Sequence, residues 1–260
     1  MKVEAARILG VARFAKTGVS LQDKLIPADE DEAYGVQTAL HEWQQEQGQG
    51  RIVGYKIGCT TPTMQRIVGV PNPTFGGILD VNVSHDYGTY AFKNFQKVGI
   101  ECEIAVRLSS DLPASGAPYD RPAIEAAVGS CMAAIEVVDN RYGDYLSIQA
   151  PVLIADDFFQ AACVLGAEIN DWRNIDLSQI EGRTYIDGRF VGCGPGSDIL
   201  GHPLEAVVWI VNRMAALGRG LKAGEFILTG SLVAVQWLDH APVEAVISID
   251  GLGDVQASFV

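Results

Sequence analysis

Two glutamates one residue apart, Glu101 and Glu103, stand in the segment Gly99-Ile100-Glu101-Cys102-Glu103-Ile104-Ala105-Val106. The segment is otherwise apolar and reads as a strand. Side chains of a strand alternate between faces, so both carboxylates share one face while Ile100, Cys102 and Ile104 take the other. Carboxylates held together among apolar neighbours raise one another's pKa or demand a cation, and a hard divalent ion with oxygen ligands answers that demand. The spacing alone equally suits an amphipathic strand with one wet face. A third carboxylate tips the balance. In Ala133-Ala134-Ile135-Glu136-Val137-Val138, Glu136 is the lone charge in an apolar strand, where leaving it unpaired costs on the order of several kcal/mol. Glu101, Glu103 and Glu136 together have the composition of a Mg²⁺ or Mn²⁺ site.

Lys56 is a similar anomaly, a single cation between Val53, Ile57 and the glycines of Gly54-Tyr55-Lys56-Ile57-Gly58. Glycines permit close approach of backbone or ligand, and a partly buried lysine serves as an acid, a base or an anion clamp; a lysine snorkelling from the sheet has the same pattern. Asp156-Asp157, between Ala155 and Phe158, suits a general base, a water holder or a helix cap. Gly192-Cys193-Gly194-Pro195-Gly196-Ser197 lacks the spacing and the lysine of a phosphate loop and reads as a turn. His41, His85, His202 and His240 are scattered, with His202 at a helix start.

These residues need elements to carry them. Ala5, Ile8, Leu9, Ala12 and Phe14 keep a helical stripe; Ala33, Val36, Leu40 and Trp43 keep a second, after the acidic turn Asp29-Glu30-Asp31-Glu32, whose charges suit the positive end of a helix. A short helix is expected from Pro62 to Gly69 and a longer one from His202-Pro203 to Gly218. Between and after them the strand signals dominate: 51–59, 98–108, 131–138, 161–165, a hairpin about Asp187-Gly188, 225–228, 233–238, 243–249 and 255–260. Helices first and many strands later, without a βαβ rhythm, argue an α+β fold with a boundary near residue 50.

The 260 residues carry 19 Lys and Arg against 32 Asp and Glu, a net charge of −13. No basic run supports a nucleic-acid partner, and no long apolar stretch supports a membrane span, so a cytoplasmic protein is expected. The 5 cysteines have no CxxC spacing and are expected to be reduced and mostly buried.

Several stretches together, VGYKIGCTTPTMQRIVGVPNPTFGGIL (53–79), GIECEIAV (99–106), AAIEVVDNR (133–141), LIADD (153–157), LGHPLEAVVWIVNRMAALG (200–218) and FILTGS (226–231), make the chain resemble the 2-hydroxypenta-2,4-dienoate (2-keto-4-pentenoate) hydratases and 4-oxalocrotonate decarboxylases of the fumarylacetoacetate hydrolase superfamily. The resemblance covers nearly the whole chain. It implies an N-terminal helical region, 1–50, packed on a mixed β core of the fumarylacetoacetate hydrolase type, 51–260. It also implies a Mg²⁺ or Mn²⁺ site at Glu101, Glu103 and Glu136, an active-site lysine at Lys56 and a substrate loop at Thr229, Gly230 and Ser231. On this reading Asp157 positions a water, and Arg141 is the nearest clamp for a second substrate carboxylate. The implied reaction is hydration of a small 2-hydroxydienoic or 2-keto acid by a homo-oligomer. Decarboxylation of an oxalocrotonate-like diacid, hydrolysis of an acylpyruvate, and a non-catalytic subunit of a hydratase–decarboxylase complex are the alternatives. The chain differs from the family's usual pattern at Asp157, where Asn is common, and after Ser231, which runs directly into Leu232-Val233-Ala234-Val235.

Overall fold

The first apolar stripe winds into α1 (Lys2–Ala15) and the second into α2 (Glu30–Glu46), whose N-cap Asp29 accepts a hydrogen bond from Glu32 N. The acidic turn is thus a cap at the positive end of a helix. The computed structural model describes residues 1–260. Beyond α2 it contains β1 (Ile52–Gly58), α3 (Pro62–Val68), β2 (Thr74–Leu79), β3 (Val83–His85), β4 (Tyr87–Tyr90) and β5 (Val98–Leu108). There follow α4 (Arg121–Ala127), β6 (Val128–Asp139), α5 (Ala150–Ala155), β7 (Gln160–Leu165), β8 (Glu181–Ile186) and β9 (Arg189–Pro195). The chain closes with α6 (Pro203–Ala216), β10 (Phe226–Ser231), β11 (Gln236–Trp237), β12 (Val243–Ile249) and β13 (Gly253–Phe259).

The strands form two mixed sheets, one ordered β2-β1-β10-β5-β6-β7-β3 with β11 attached to β5, the other β4-β13-β12-β8-β9. Adjacent strands lie about 4.8 Å apart, so a flat sheet would hold β2 and β7 roughly 24 Å from each other. Instead they touch, and Ile78 of β2 shares a buried cluster with Cys163 and Leu165 of β7. The large sheet is therefore rolled. Its inner face carries Ile78, Ala105, Met132, Ala134, Cys163, Leu165, Phe226 and Leu228, all buried together. Its outer face carries Ile100, Cys102, Ile104, Ile135 and Val137 into the main core. The second sheet packs there so closely that a Cβ on Gly182 would lie 2.8 Å from Cys102 Sγ.

The N-terminal helices cover the roll beside β2. Tyr34 of α2 stacks on Phe75 with ring centroids 4.2 Å apart, and Ala5, Leu9, Val36 and Leu40 belong to the same core as the strands. Polar contacts complete the attachment. Arg13 Nε donates to Asp156 Oδ1 at 2.6 Å, Arg13 Nη1 donates to Gln160 O at 3.1 Å, and Arg141 and Tyr142 both donate to Asp156 Oδ2.

The expected mixed α+β architecture is present, and His202 caps α6 by accepting from Leu204 N at 3.1 Å. All 5 cysteines are free and only Cys193 is exposed. No helix is long and apolar enough to cross a membrane. Other elements correct the sequence reading. The strand expected over 233–238 shrinks to β11, and α4, α5 and β2 to β4 were not anticipated. In α5 every residue from Val152 to Ala155 is buried, so no polar face marks a helical period. Gly192 to Pro195 is strand rather than turn, and only Gly196–Asp198 turns. A Cβ on Gly194 would lie 2.0 Å from Leu232 O, so its glycine serves close packing.

Asp156 is the joint of the helical region. Asp156→Ala would leave Arg141 buried without its carboxylate and Arg13 with Asp157 alone, and it is expected to cost roughly 3–5 kcal/mol of stability, measured by urea unfolding at neutral pH.

Candidate active site

Antiparallel pairing of β5 with β6 sets Glu101 directly opposite Glu136 and Glu103 opposite Ala134. Because Ala134 lies on the inner face, so do all three glutamates. Their ligand oxygens lie within 4.8 Å of one another. Lys56 reaches the same layer from β1, where its register partners are Leu228 and Gly76, and its Nζ lies 3.0 Å from Glu136 Oε1. The apolar cluster plugs the roll on one side of this layer. Glu103, Glu136 and Lys56 are buried at 1%, 0% and 2% exposure, and Glu101 is partly exposed.

The electrostatics are unbalanced. Glu103 Oε2 accepts from Gly230 N at 2.6 Å, whereas both oxygens of Glu136 are buried without a properly directed hydrogen bond, since the Lys56 ammonium stands near but out of line. Burial pushes all three carboxyl groups above the usual glutamate range, with mutual repulsion adding to it at Glu103 and Glu136. Burial pulls the Lys56 ammonium toward neutrality, but Glu136 and then Glu101 outweigh it and hold its pKa above the ordinary lysine value. Three clustered carboxylates facing one ammonium, with orphaned oxygens, fit a divalent cation of the Mg²⁺ or Mn²⁺ type, which takes oxygen ligands.

Thr229, Gly230 and Ser231, expected as a loop, form the end of β10 and support this layer. Gly230 has φ +120°, and a Cβ there would come 2.6 Å from Thr60 Cγ2, so the N–H that Glu103 accepts depends on glycine. Thr229, expected to bind substrate, donates its hydroxyl to Ile104 O at 2.9 Å and is fully buried. Ser231 Oγ donates to Val233 O at 2.7 Å. These hydroxyls hold backbone, while the Gly230 amide donates to Glu103 and Ser231 is the register partner of Glu103.

Asp157 and Arg141 are both engaged in contacts with the N-terminal helices or the segment after α5. Asp157 Oδ1 lies 2.8 Å from His41 Nε2 and accepts from Gly77 N at 2.8 Å, while its Oδ2 is 3.5 Å from Arg13 Nη2. These contacts anchor α1, α2 and β2 to one another. Arg141 is bound to Asp156 and lines a cleft of about 630 Å³ with Arg13, Tyr90 and Gln160, a cleft that neither Lys56 nor the three glutamates line. Arg141 thus lies apart from the glutamate layer in this arrangement. Sequence reasoning missed one neighbour of the centre and one partner of Asp157. Phe158 places its ring centroid 5.6 Å from Lys56 Nζ, and His41 was set aside as one of several scattered histidines because nothing in sequence joins it to Asp157.

Burial tends to raise the Asp157 pKa, but His41, Arg13 and the Gly77 amide together hold it below the usual aspartate range. A lowered folded-state pKa contributes stability that is complete above the unfolded-chain value and is lost as pH falls toward the folded one. Asp157→Asn should therefore be less stable than the native chain at pH 7, and the gap should narrow as pH falls through the carboxylate range, as followed by thermal unfolding.

With this geometry in view, comparison with known proteins is informative. Residues 72–260 match the fumarylacetoacetate (FAA) hydrolase C-terminal family. The chain is 34% identical over 255 residues to a 2-keto-4-pentenoate hydratase of Burkholderia vietnamiensis, spanning 98% of this chain and 95% of that one. It is 30% identical over 230 residues to a 4-oxalocrotonate decarboxylase of Pseudomonas putida, spanning 88% and 85%. The solved 4-oxalocrotonate decarboxylase from Pseudomonas putida G7, complexed with magnesium and adipate, superposes with a TM-score of 0.92 at 25% identity, over 100% of this chain and 97% of that one. The chain belongs to the 2-keto-4-pentenoate hydratase and 4-oxalocrotonate decarboxylase family of the fumarylacetoacetate hydrolase superfamily.

Proposed function

We propose that this protein is a divalent-metal-dependent hydro-lyase that adds water to a 2-hydroxy-2,4-dienoate, giving a 4-hydroxy-2-oxo acid. The observation that carries the proposal is the inner-face layer of Glu101, Glu103 and Glu136 with Lys56 beside it. Glu101, Glu103 and Glu136 would hold Mg²⁺ or Mn²⁺, which supplies Lewis acidity toward the carboxylate and 2-oxo oxygens of such a substrate. Lys56, kept protonated by its carboxylate neighbours, stabilises negative charge on the enolate and donates a proton to its carbon. The resulting α,β-unsaturated 2-oxo acid is electron-poor at C4, where water adds. The apolar plug closes the inner side of the layer, so water reaches it only from the open side.

Hydration is favoured over decarboxylation because the likeness to a hydratase spans almost the whole chain, and because Arg141, the candidate clamp for a second carboxylate, is committed to Asp156. The close superposition on a decarboxylase supports the second reading, loss of CO₂ from an oxalocrotonate-like diacid.

The test is to follow 2-hydroxypenta-2,4-dienoate by ultraviolet absorbance with Mg²⁺ present and to identify the product by NMR. A 4-hydroxy-2-oxo acid is expected, with Lys56→Ala slower by roughly two to four orders of magnitude. Release of CO₂ from oxalocrotonate with no hydration of the dienoate would establish the decarboxylase instead. Glu101→Gln removes one anionic ligand and should weaken Mn²⁺ binding at least tenfold by calorimetry, about 1.4 kcal/mol. Unchanged affinity would show that the ion is held elsewhere.

A further inference from the structure

Asp157, Phe158 and Phe159 follow one another with φ of 50°, 49° and 70°. Left-handed backbone is uncommon for L residues other than Asn and Asp, and here none of the run is glycine. Such a conformation persists only where its surroundings over-determine it. The surroundings here are specific. Asp157 is tied to His41, Gly77 N and Arg13, and Arg13 also donates to Gln160 O just beyond the turn. The turn enters the roll against Gly76, where a Cβ would lie 2.5 Å from Asp157 O. Gly76 is the register partner of Lys56.

The consequence of this strain is where the two rings go. Phe158 lies against the Lys56 ammonium, with a ring atom 3.3 Å from the position a Cβ on Gly58 would take. Phe159 continues outward, its centroid 5.4 Å from Phe158, 5.3 Å from Tyr145 and 6.3 Å from Tyr142. The result is an aromatic wall running from the buried lysine toward the half-buried surface. Arg13 and Arg141 are turned to Asp156, as is the Tyr142 hydroxyl, at 2.8 Å, and the remaining Arg141 Nη1 is buried out of reach of solvent.

We infer that the left-handed turn Asp157-Phe158-Phe159 is the specificity-determining wall of this centre, selecting 2-oxo and 2-hydroxydienoic acids with an uncharged, apolar tail over those ending in a second carboxylate. The inference rests on the proposed binding of a 2-oxo acid headgroup beside Lys56 and deepens it by naming the tail. A carboxylate lying against Phe158 and Phe159 would lose its hydration with no partner to replace it, whereas an alkyl or aryl tail gains contact with the rings.

The test uses the whole protein with Mg²⁺ and measures calorimetric binding of 2-oxohexanoate and 2-oxoadipate, which differ by the terminal carboxylate. The native chain is expected to prefer 2-oxohexanoate by about tenfold or more. Phe158→Ala should reduce that preference to within about threefold and Phe158→Leu should largely keep it, while pyruvate, which has no tail, binds all variants alike. Phe159→Ala, at the half-buried end of the wall, supplies the same comparison if Phe158→Ala fails to fold. Equal affinities in the native chain, preference for the diacid, an unchanged preference in the alanine variants, or no binding of either acid would each overturn the inference. Preference for 2-oxohexanoate without hydration of any dienoate would leave the wall standing and refute the hydratase reading instead.

Discussion

The structure is organised around a charge imbalance that an apolar roll cannot tolerate by itself. Three carboxylates and one ammonium share a layer from which most water is excluded, and the layer cannot relax because its charges are carried on three strands, β1, β5 and β6, of one rolled sheet. In such surroundings charge interactions are several times stronger than in water, so a cation is bound firmly and an oxygen left without one is costly. The apolar plug of Ile78, Met132, Leu165 and Phe226 makes this possible. It fixes the width of the roll and keeps solvent away from the inner side of the glutamates.

A second buried charge cluster lies outside the roll and does a different job. Arg13 and Arg141 neutralise Asp156 and Asp157, His41 pairs with Asp157 at 2.8 Å, and together they join the N-terminal helices to the segment after α5. The helices are therefore more than a cover. Through Arg13 and His41 they hold the backbone that carries Phe158 to Lys56, so the two N-terminal helices shape the glutamate layer without contributing a group to it. Breaking such a pair on one side exposes the partner's charge to an apolar surrounding, which is why the cluster resists piecemeal change.

Glycine supports both arrangements by its lack of a side chain. Gly230 lets a backbone amide reach Glu103, and Gly76 lets the turn at Asp157 pass over β2. A methyl group at Gly76 would occupy the space of the turn, and one at Gly230 would meet Thr60.

Face alternation was enough to read the carboxylate triad from sequence, because the period of a strand is local and Glu136 had no local partner to excuse it. The helical stripes, the cap at His202 and the α+β class were legible for the same reason, since each depends on residues a few positions apart. The family resemblance brought Lys56 to the same centre. What sequence could not decide was anything set by pairing between distant segments. That Glu101 stands opposite Glu136 is a matter of register. That Asp157 answers His41, and Arg141 answers Asp156, depends on how the helices dock on the roll. The left-handed run at Asp157-Phe158-Phe159 carries no glycine to announce it, because its conformation is imposed by those distant contacts rather than chosen by its own residues. Local chemistry therefore named the groups that do the work, and tertiary packing decided which of them meet and which are spent holding the others in place.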